Sequence, residues 1–407
     1  MAELKGIEYL KKKLEARRVR VLTRYQYYEL KNLTRDFKIS TPPELEYFQS
    51  VLGWCAKSVD SLADRLVFNE FRNDNFGINE IMTLNNPDIL TDSMANSALI
   101  ASCCFVYISP DEYGQPRLQV IDASNATGII DPITNLLTEA YAVLERDDYG
   151  NAIEEVYMIP GESLYISKGK PTQVLKHKAP AALMAPIIYR PDAKRPFGHS
   201  RISRAQMSIV GSALRTIKRS EISAEFFSFP QKWVTGLADD FEGDKWSAAM
   251  SAMLSITKDE DGDHPIFGQF QQQSMAPHTE QLKMFASLFA GETGLTMDDL
   301  GFTTSNPASA EAIKASHDNL RLTARKAQRS FGSGLLNVGY LAACLRDGRE
   351  YNRSQLGLTR PVWAPIFEPD SSMLSAIGDG ILKINQAIPD YIDEELIGDL
   401  TGIKRED

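Results

Sequence analysis

The stretch "LGFTTSNPASAEAIKASHDNLRLTARKAQRSFG", residues 300–332, joins a soft segment to a firm one. Asn306 can accept amide hydrogen bonds as a helix cap, and Pro307 suits the first helical position. Glu311 then adds a negative charge where a helix N-terminus favours it. The pattern predicts a helix running from Asn306 to Phe331. Residues 294–305, before that cap, hold Gly294, Gly301, three threonines and a serine. Few of these side chains can anchor a core, so mobility is expected on the N-terminal side of the cap.

Upstream, Met207, Val210, Leu214 and Ile217 step by three, four and three, which predicts a helix over 200–227 that Pro230 ends. Strands are expected at 232–235 and 266–270, a helix at 244–256 between them, and another helix at 279–289. Two helical rods thus flank a small α/β insert. Nearer the N-terminus, 7–33 reads as helical. Residues 45–67 read as an amphipathic helix on Phe48, Val51, Leu52, Cys55, Val59, Leu62 and Leu66, and 91–101 as a short helix. The period then changes to that of strands at 105–108, 117–121, 139–146, 153–159 and 163–167. Turn signals at Asp111-Glu112-Tyr113-Gly114, Asp131-Pro132 and Asp147-Asp148-Tyr149-Gly150 separate them. Helical segments at 372–387 and 393–400 close the chain. The class is α+β, with an antiparallel meander between helical parts.

With 407 residues, 43% of them hydrophobic and 24% charged, the chain can bury a sizeable core. Its net charge of −10 argues against a protein that wraps DNA. Charge is uneven: 5–24 is rich in Lys and Arg, while 239–263 and the tail from Asp390 are acidic. Each run is also what a solvated face shows. Cys55, Cys103, Cys104 and Cys344 form no C-x-x-C pair and read as core residues of a reducing compartment. The N-terminus lacks the apolar region of a signal peptide. Apolar runs such as 179–189 are too short to span a bilayer, so a cytoplasmic chain without a membrane partner is expected.

Catalytic signatures are missing. Gly169-Lys170 is followed by Pro171, which has no amide for a phosphate loop. There is no G-x-S-x-G elbow. The five histidines show no H-x-x-x-H, and no metal ligands converge. Asp259-Glu260-Asp261-Gly262-Asp263 lacks the alternating spacing and late Glu of a calcium loop. Ser200 beside His199 reads as a helix cap rather than a nucleophile. No catalytic residue, metal or cofactor is expected. Lys314, Arg321, Arg325 and Arg329 share one face of the long helix. They either meet phosphates or pair with residues such as Glu311 and Asp318 and with neighbouring subunits.

The order of these features resembles the portal proteins of tailed bacteriophages, in the long-tailed branch. The likeness covers nearly the whole chain. It rests on Tyr27-Tyr28, Gly53-Trp54 and "SVDSLADRLVFNEF", and on "CCFVYISPDEYGQPRLQVIDASNATGIID" as wing strands. "APIIYRPDAKRPFGHSRISRAQ" and "AEFFSFPQKWVTGL" resemble the stem entry and the start of the clip. The opening stretch resembles the tunnel loop and long wing helix, and "ILKINQAIPDYIDEELIGDLTGI" the crown-side tail.

The resemblance implies a wing over 1–199, stem helices at 200–229 and 279–293, and a clip at 230–278. It further implies a tunnel loop at 294–305, a long wing helix and wing remainder at 306–370, and a short crown-side tail at 371–407. It implies no enzyme but a ring, usually of twelve subunits, at one capsid vertex of the virion, assembled in the host cytoplasm. Double-stranded DNA would pass through it without sequence reading. The terminase large subunit, then a head–tail adaptor, would dock on the clip, and the major capsid and scaffolding proteins would surround it. On this reading Asp298, Asp299, Thr303, Thr304, Ser305 and Asn306 face DNA, while Asp239, Asp240, Asp259, Glu260 and Asp261 meet docking partners. The alternatives are another ring-forming head–tail connector, a diverged nucleic-acid-processing enzyme and a membrane-associated ring.

Overall fold

The computed structural model describes residues 4–33, 47–228, 232–235, 266–269, 274–302, 315–367, 369, 371–389 and 391–403. In chain order the elements are α1 (Ile7–Tyr28), α2 (Trp54–Ala63), β1 (Phe68–Arg72), α3 (Ile78–Thr83), α4 (Pro87–Ala101), β2 (Cys103–Pro110), β3 (Pro116–Asp122) and β4 (Ala126–Ile130). Then follow β5 (Leu137–Arg146), β6 (Ala152–Ile159), β7 (Glu162–Ser167), β8 (Lys170–Lys176), β9 (Met184–Ile188) and α5 (Arg204–Ser228). The remainder comprises β10 (Lys232–Thr235), β11 (Ile266–Gln269), α6 (Ala276–Thr293), α7 (Asp318–Arg346), β12 (Arg360–Trp363), α8 (Ser371–Ala387) and α9 (Glu394–Thr401). The chain is α+β, as expected. It divides into two units. One comprises Met1–Asn32, Gly53–Met207 and Ala290–Asp407, the other Leu33–Leu52 and Ser208–Phe289.

In the first unit, β3-β2-β9 form one antiparallel sheet and β4-β5-β6-β7-β8 a second. Cys103 to Ile108 of β2 are all buried, because α4 and α7 pack against this sheet. That explains a continuous apolar run where a half-exposed strand would alternate. The edge strand β8 is almost wholly exposed, and Lys170, Pro171 and Lys176 make it a poor template for further pairing. The expected hairpin turns are present. At two of them an aspartate collects the turn amides: Asp111 from Tyr113 and Gln115, Asp147 from Tyr149 and Asn151. All four cysteines are buried and unpaired.

Several expectations need correcting. The second helix begins at Trp54, behind Gly53, and Phe48 and Val51 are 41% and 65% exposed outside it. Their spacing imitated a helical face by coincidence. The long helix continues past Phe331 to Arg346. The glycines beyond Phe331 serve close packing. A Cβ on Gly332 would lie 2.6 Å from Pro361 Cγ, on Gly334 2.7 Å from Ile187 Cδ1, and on Gly339 2.5 Å from Ile78 Cγ2. The expected start at Asn306 lies outside the described residues, as does the helix expected at 244–256. Ser200 does not cap α5: its hydroxyl donates to Ile100 O at 2.6 Å, and Ser203 Oγ accepts from Gln206 N–H at 3.1 Å instead. Gly339→Val should overpack the Ile78 contact and cost about 1–3 kcal/mol. A urea midpoint equal to that of the unsubstituted protein would refute this close approach.

In the second unit, Val210, Ala213 and Leu214 of α5 and Ala286 and Phe289 of α6 are buried. Thr216 Oγ1 and Gln281 Oε1 join the two helices at 3.0 Å. Strands β10 and β11 pair antiparallel. Among the described residues, no helix is long and apolar enough to cross a membrane.

Candidate functional site

The segment after α6 is better anchored than its composition suggests. Leu295 and Leu300 are buried, and Phe302 meets Trp54 edge-on at 6.5 Å between ring centroids. Asp298–Leu300 forms a single 3-10 turn. Asp299 Oδ2 accepts from Thr296 N–H at 2.8 Å and from Thr296 Oγ1 at 2.9 Å, and lies 3.3 Å from His317 Nε2. Burial alone would raise the Asp299 carboxyl. The Thr296 amide and hydroxyl and the neighbouring His317 outweigh it and hold the group below the usual carboxylate range. Asp299 is therefore a structural acceptor, whereas Asp298 is exposed. The expectation of a segment without anchors is corrected for 294–302. The Thr-x-x-Asp turn that fixes it is closed by a histidine eighteen positions on, which composition does not reveal. Thr303, Thr304, Ser305 and Asn306 lie outside the described residues.

The basic stripe is divided. Arg321 pairs with Asp318 at 2.6 Å within the helix, the pairing alternative raised from sequence. Such an exposed pair contributes little to stability. Arg325 and Arg329 are exposed and form no ion pair among the described residues. Lys314 lies outside the described residues. With Lys326, which sequence reasoning missed, Arg325 and Arg329 line a groove of about 630 Å³ floored by Pro361 and Trp363. Lys326 and Arg329 also border a second groove of about 720 Å³ that brings in Arg190, Asp192, His199 and Glu292. The first groove carries only positive charge and the second both signs. The sequence signal for Lys326 was the cluster Arg325-Lys326, but one residue turns the helix by about 100°, so the pair was split between faces.

His199 and Ser200 do not act together. His199 Nε2 lies 2.5 Å from Asp192 Oδ2, while Ser200 turns to the backbone of α4. Among the described residues no three potential metal ligands cluster. Asp239, Asp240, Asp259, Glu260 and Asp261 lie outside the described residues.

Two curated relatives align over 382 positions that cover 88% of this chain and 77% of each relative: the portal proteins of Mycobacterium phage L5, 24% identical, and of Mycobacterium phage D29, 25% identical. Among solved structures, a chain from the neck of an empty gene transfer agent (GTA) particle, computed with C6 symmetry, superposes with a TM-score of 0.50. That match covers 87% of this chain and 90% of the other at 14% identity, so it speaks to the fold alone. No family model matches. The resemblance to tailed-phage portal proteins therefore extends over most of the chain.

Proposed function

We propose that this chain is the subunit of a portal ring at one vertex of a phage-like capsid, through which double-stranded DNA is packaged and ejected. The observation that carries the reading is the extent of the likeness, 88% of the chain aligned with two portal proteins. On this reading α5 and α6 supply the stem, the chain between them the clip, and 294–305 the tunnel loop. The clip is where a terminase and then an adaptor dock, and the acidic residues of 239–263 are its contact surface. The grouping of Ser208–Phe289 in one unit supports a stem and clip read as one part of the chain, although Leu33–Leu52, read as wing, falls in the same unit. The role needs binding surfaces, not a reacting group.

Helix α8 supports self-association. None of its residues is buried. Leu374, Ile377, Ile381 and Ile384 repeat by three, four and three, and Ile388 continues the row through its N–H to Ile384 O at 2.9 Å. That is a 3.5-residue seam with isoleucine at both kinds of core position, a pattern that favours assemblies larger than dimers. The flanking Gly378, Gly380, Asn385 and Ala387 carry no charge, so identical helices do not repel along the seam.

Light scattering should show a closed assembly many times the 45.4 kDa chain, and negative-stain images should show rings. Ile377→Asp with Ile381→Asp should raise the concentration needed for assembly about tenfold or more, a change of roughly 1.4 kcal/mol per tenfold. A monomer at every concentration and salt would sink the portal reading. Unchanged assembly of the double variant would sink only the role of α8.

A further inference from the structure

Helix α1 carries a row of cations that the portal reading does not use. Lys13, Arg17, Arg20 and Arg24 follow one another by four, three and four residues. At 3.6 residues per turn they fall within an arc of about 60°, and over a length of about 16 Å. The acids of the same helix, Glu8 and Glu15, fall on the opposite side. Leu10, Leu14 and Val21 bury the face next to the row, so the row runs along the margin where α1 meets the rest of its unit. Arg17 and Arg20 are exposed; Lys13 and Arg24 are half-buried.

The row lacks counter-charges. None of its four members forms an ion pair among the described residues. Lys13 donates to Gly128 O at 2.5 Å and lies 5.0 Å from the Phe197 ring centre. Burial first, then the Arg17 and Lys5 charges, push the Lys13 ammonium down to about 8. Burial first, then Arg195 and Arg20, push the Arg24 guanidinium down as well. Arg24 Nε is shielded from solvent and has no hydrogen-bond partner. The nearby carboxylates are engaged elsewhere. Glu139 accepts from the Lys5 and Gly6 amides, Glu155 pairs with Lys11, Glu15 lies 3.8 Å from Arg18, and Asp192 holds His199 and the Lys194 amide. Five like charges, Arg195 included, are thus held together, and the carboxylates nearest them, Glu139 by Lys13 and Asp192 by Arg195, are taken up by other donors and form no ion pair with the row, which leaves it available to an external polyanion.

We propose that this row binds the phosphate backbone of duplex DNA without reading sequence. Three of the four side chains are guanidinium groups, whose planar forks match phosphate oxygens in pairs. A row of about 16 Å equals about five base pairs of axial rise, long enough to meet several backbone phosphates. The net charge of −10 means the protein as a whole does not attract DNA, so contact is confined to this row and is weak and salt-sensitive. The row belongs to α1, and Arg195, 3.3 Å from His199, links it to the rim of the groove that Asp192 and His199 share with α7.

The test uses the full chain in its assembled form and a labelled random-sequence duplex of about 30 base pairs, followed by fluorescence anisotropy across a salt series. Binding should weaken as salt rises. Arg17→Ala with Arg20→Ala should lower the logarithmic salt slope by about 2, at about 0.9 for each phosphate no longer neutralised, and weaken binding about tenfold or more at low salt. Arg17→Lys with Arg20→Lys should retain most of the slope. Lys168→Ala with Lys170→Ala, at the exposed β7–β8 hairpin, should change nothing. No binding by the unsubstituted protein at about 50 mM salt, or an Arg17/Arg20 alanine pair that binds as it does, overturns the proposal. So does displacement of the duplex by polyglutamate of equal charge, which assigns the row to an acidic protein instead. Particle size is scored separately. An assembled alanine pair that no longer holds DNA supports the row, whereas a chain that binds DNA through the row but never assembles overturns the portal reading alone.

Discussion

Glu139→Ala is expected to strip hydrogen-exchange protection from the first turns of α1 and to cost about 3–5 kcal/mol, the sum of several buried donors left without an acceptor. Glu139 is 1% exposed on β5, yet it is fully used. Its Oε1 accepts from Lys5 N–H at 2.7 Å, and its Oε2 from Gly6 N–H and Tyr157 OH, both at 2.9 Å. The first two donors sit at the N-terminus of α1, where unsatisfied amides and the helix dipole favour a negative charge. A carboxylate from the sheet therefore holds the two amides that lead into α1, where Gly6 offers no side-chain cap of its own. One turn further along, Glu155 accepts from Lys11 Nζ at 3.0 Å and from the Tyr141 hydroxyl. Between the two carboxylates Leu10 and Leu14 pack on Tyr141 and Val143. Glu139→Gln keeps an acceptor oxygen but loses the charge, so its loss should be smaller, about 1–2 kcal/mol. Equal protection of residues 7–14 in the alanine variant and the unsubstituted protein would show that apolar packing alone seats the helix. Because α1 carries the cationic row, the alanine variant should also weaken binding to duplex DNA.

That anchor was invisible in the sequence, where Glu139 and Glu155 are two acids among many. What could be read was local. The apolar steps of α5 at Met207, Val210 and Leu214 and the Asp-to-Gly turns each act within a few residues, so periodicity and turn chemistry exposed them. The misses are the elements whose reason lies far away. Strand β1 exists because β12 pairs with it from the other end of the chain. Strand β9 hides in the uniform apolar run 179–189, since it is buried against β2 and α7 and does not alternate. Strand β8 shows no apolar face because it has no buried one. The candidate site divides in the same way. Helical spacing placed Arg321, Arg325 and Arg329 on one face, but only Arg325 and Arg329 line the groove, while Arg321 turns to Asp318. The partner of Asp299 and the walls that Pro361 and Trp363 give to the groove required the tertiary fold.

Arg201→Ala should be as damaging as the loss of Glu139, about 3–5 kcal/mol, since charged hydrogen bonds to buried acceptors contribute roughly 1.5–3 kcal/mol each. Arg201 is 6% exposed and holds three parts of its unit together. Its N–H donates to Leu99 O at 2.7 Å, its Nε to Ser58 O at 3.2 Å and its Nη2 to Thr293 O at 2.6 Å. Thr293 is the last residue of α6, where carbonyls lack helical partners and the dipole favours a cation. The guanidinium thus fixes the point at which the chain leaves the helix and enters 294–302. Alanine keeps the backbone bond to Leu99 but leaves the other two acceptors without this donor. Arg201→Met separates packing from hydrogen bonding: it restores much of the volume and none of the donors. If the bonds matter most, the methionine variant should lose nearly as much stability as alanine, and exchange should rise together at 54–63 and at 290–296. If methionine restores stability, Arg201 acts through its aliphatic stem, and the placement of the segment after α6 then rests on Leu295, Leu300 and the Asp299 turn instead.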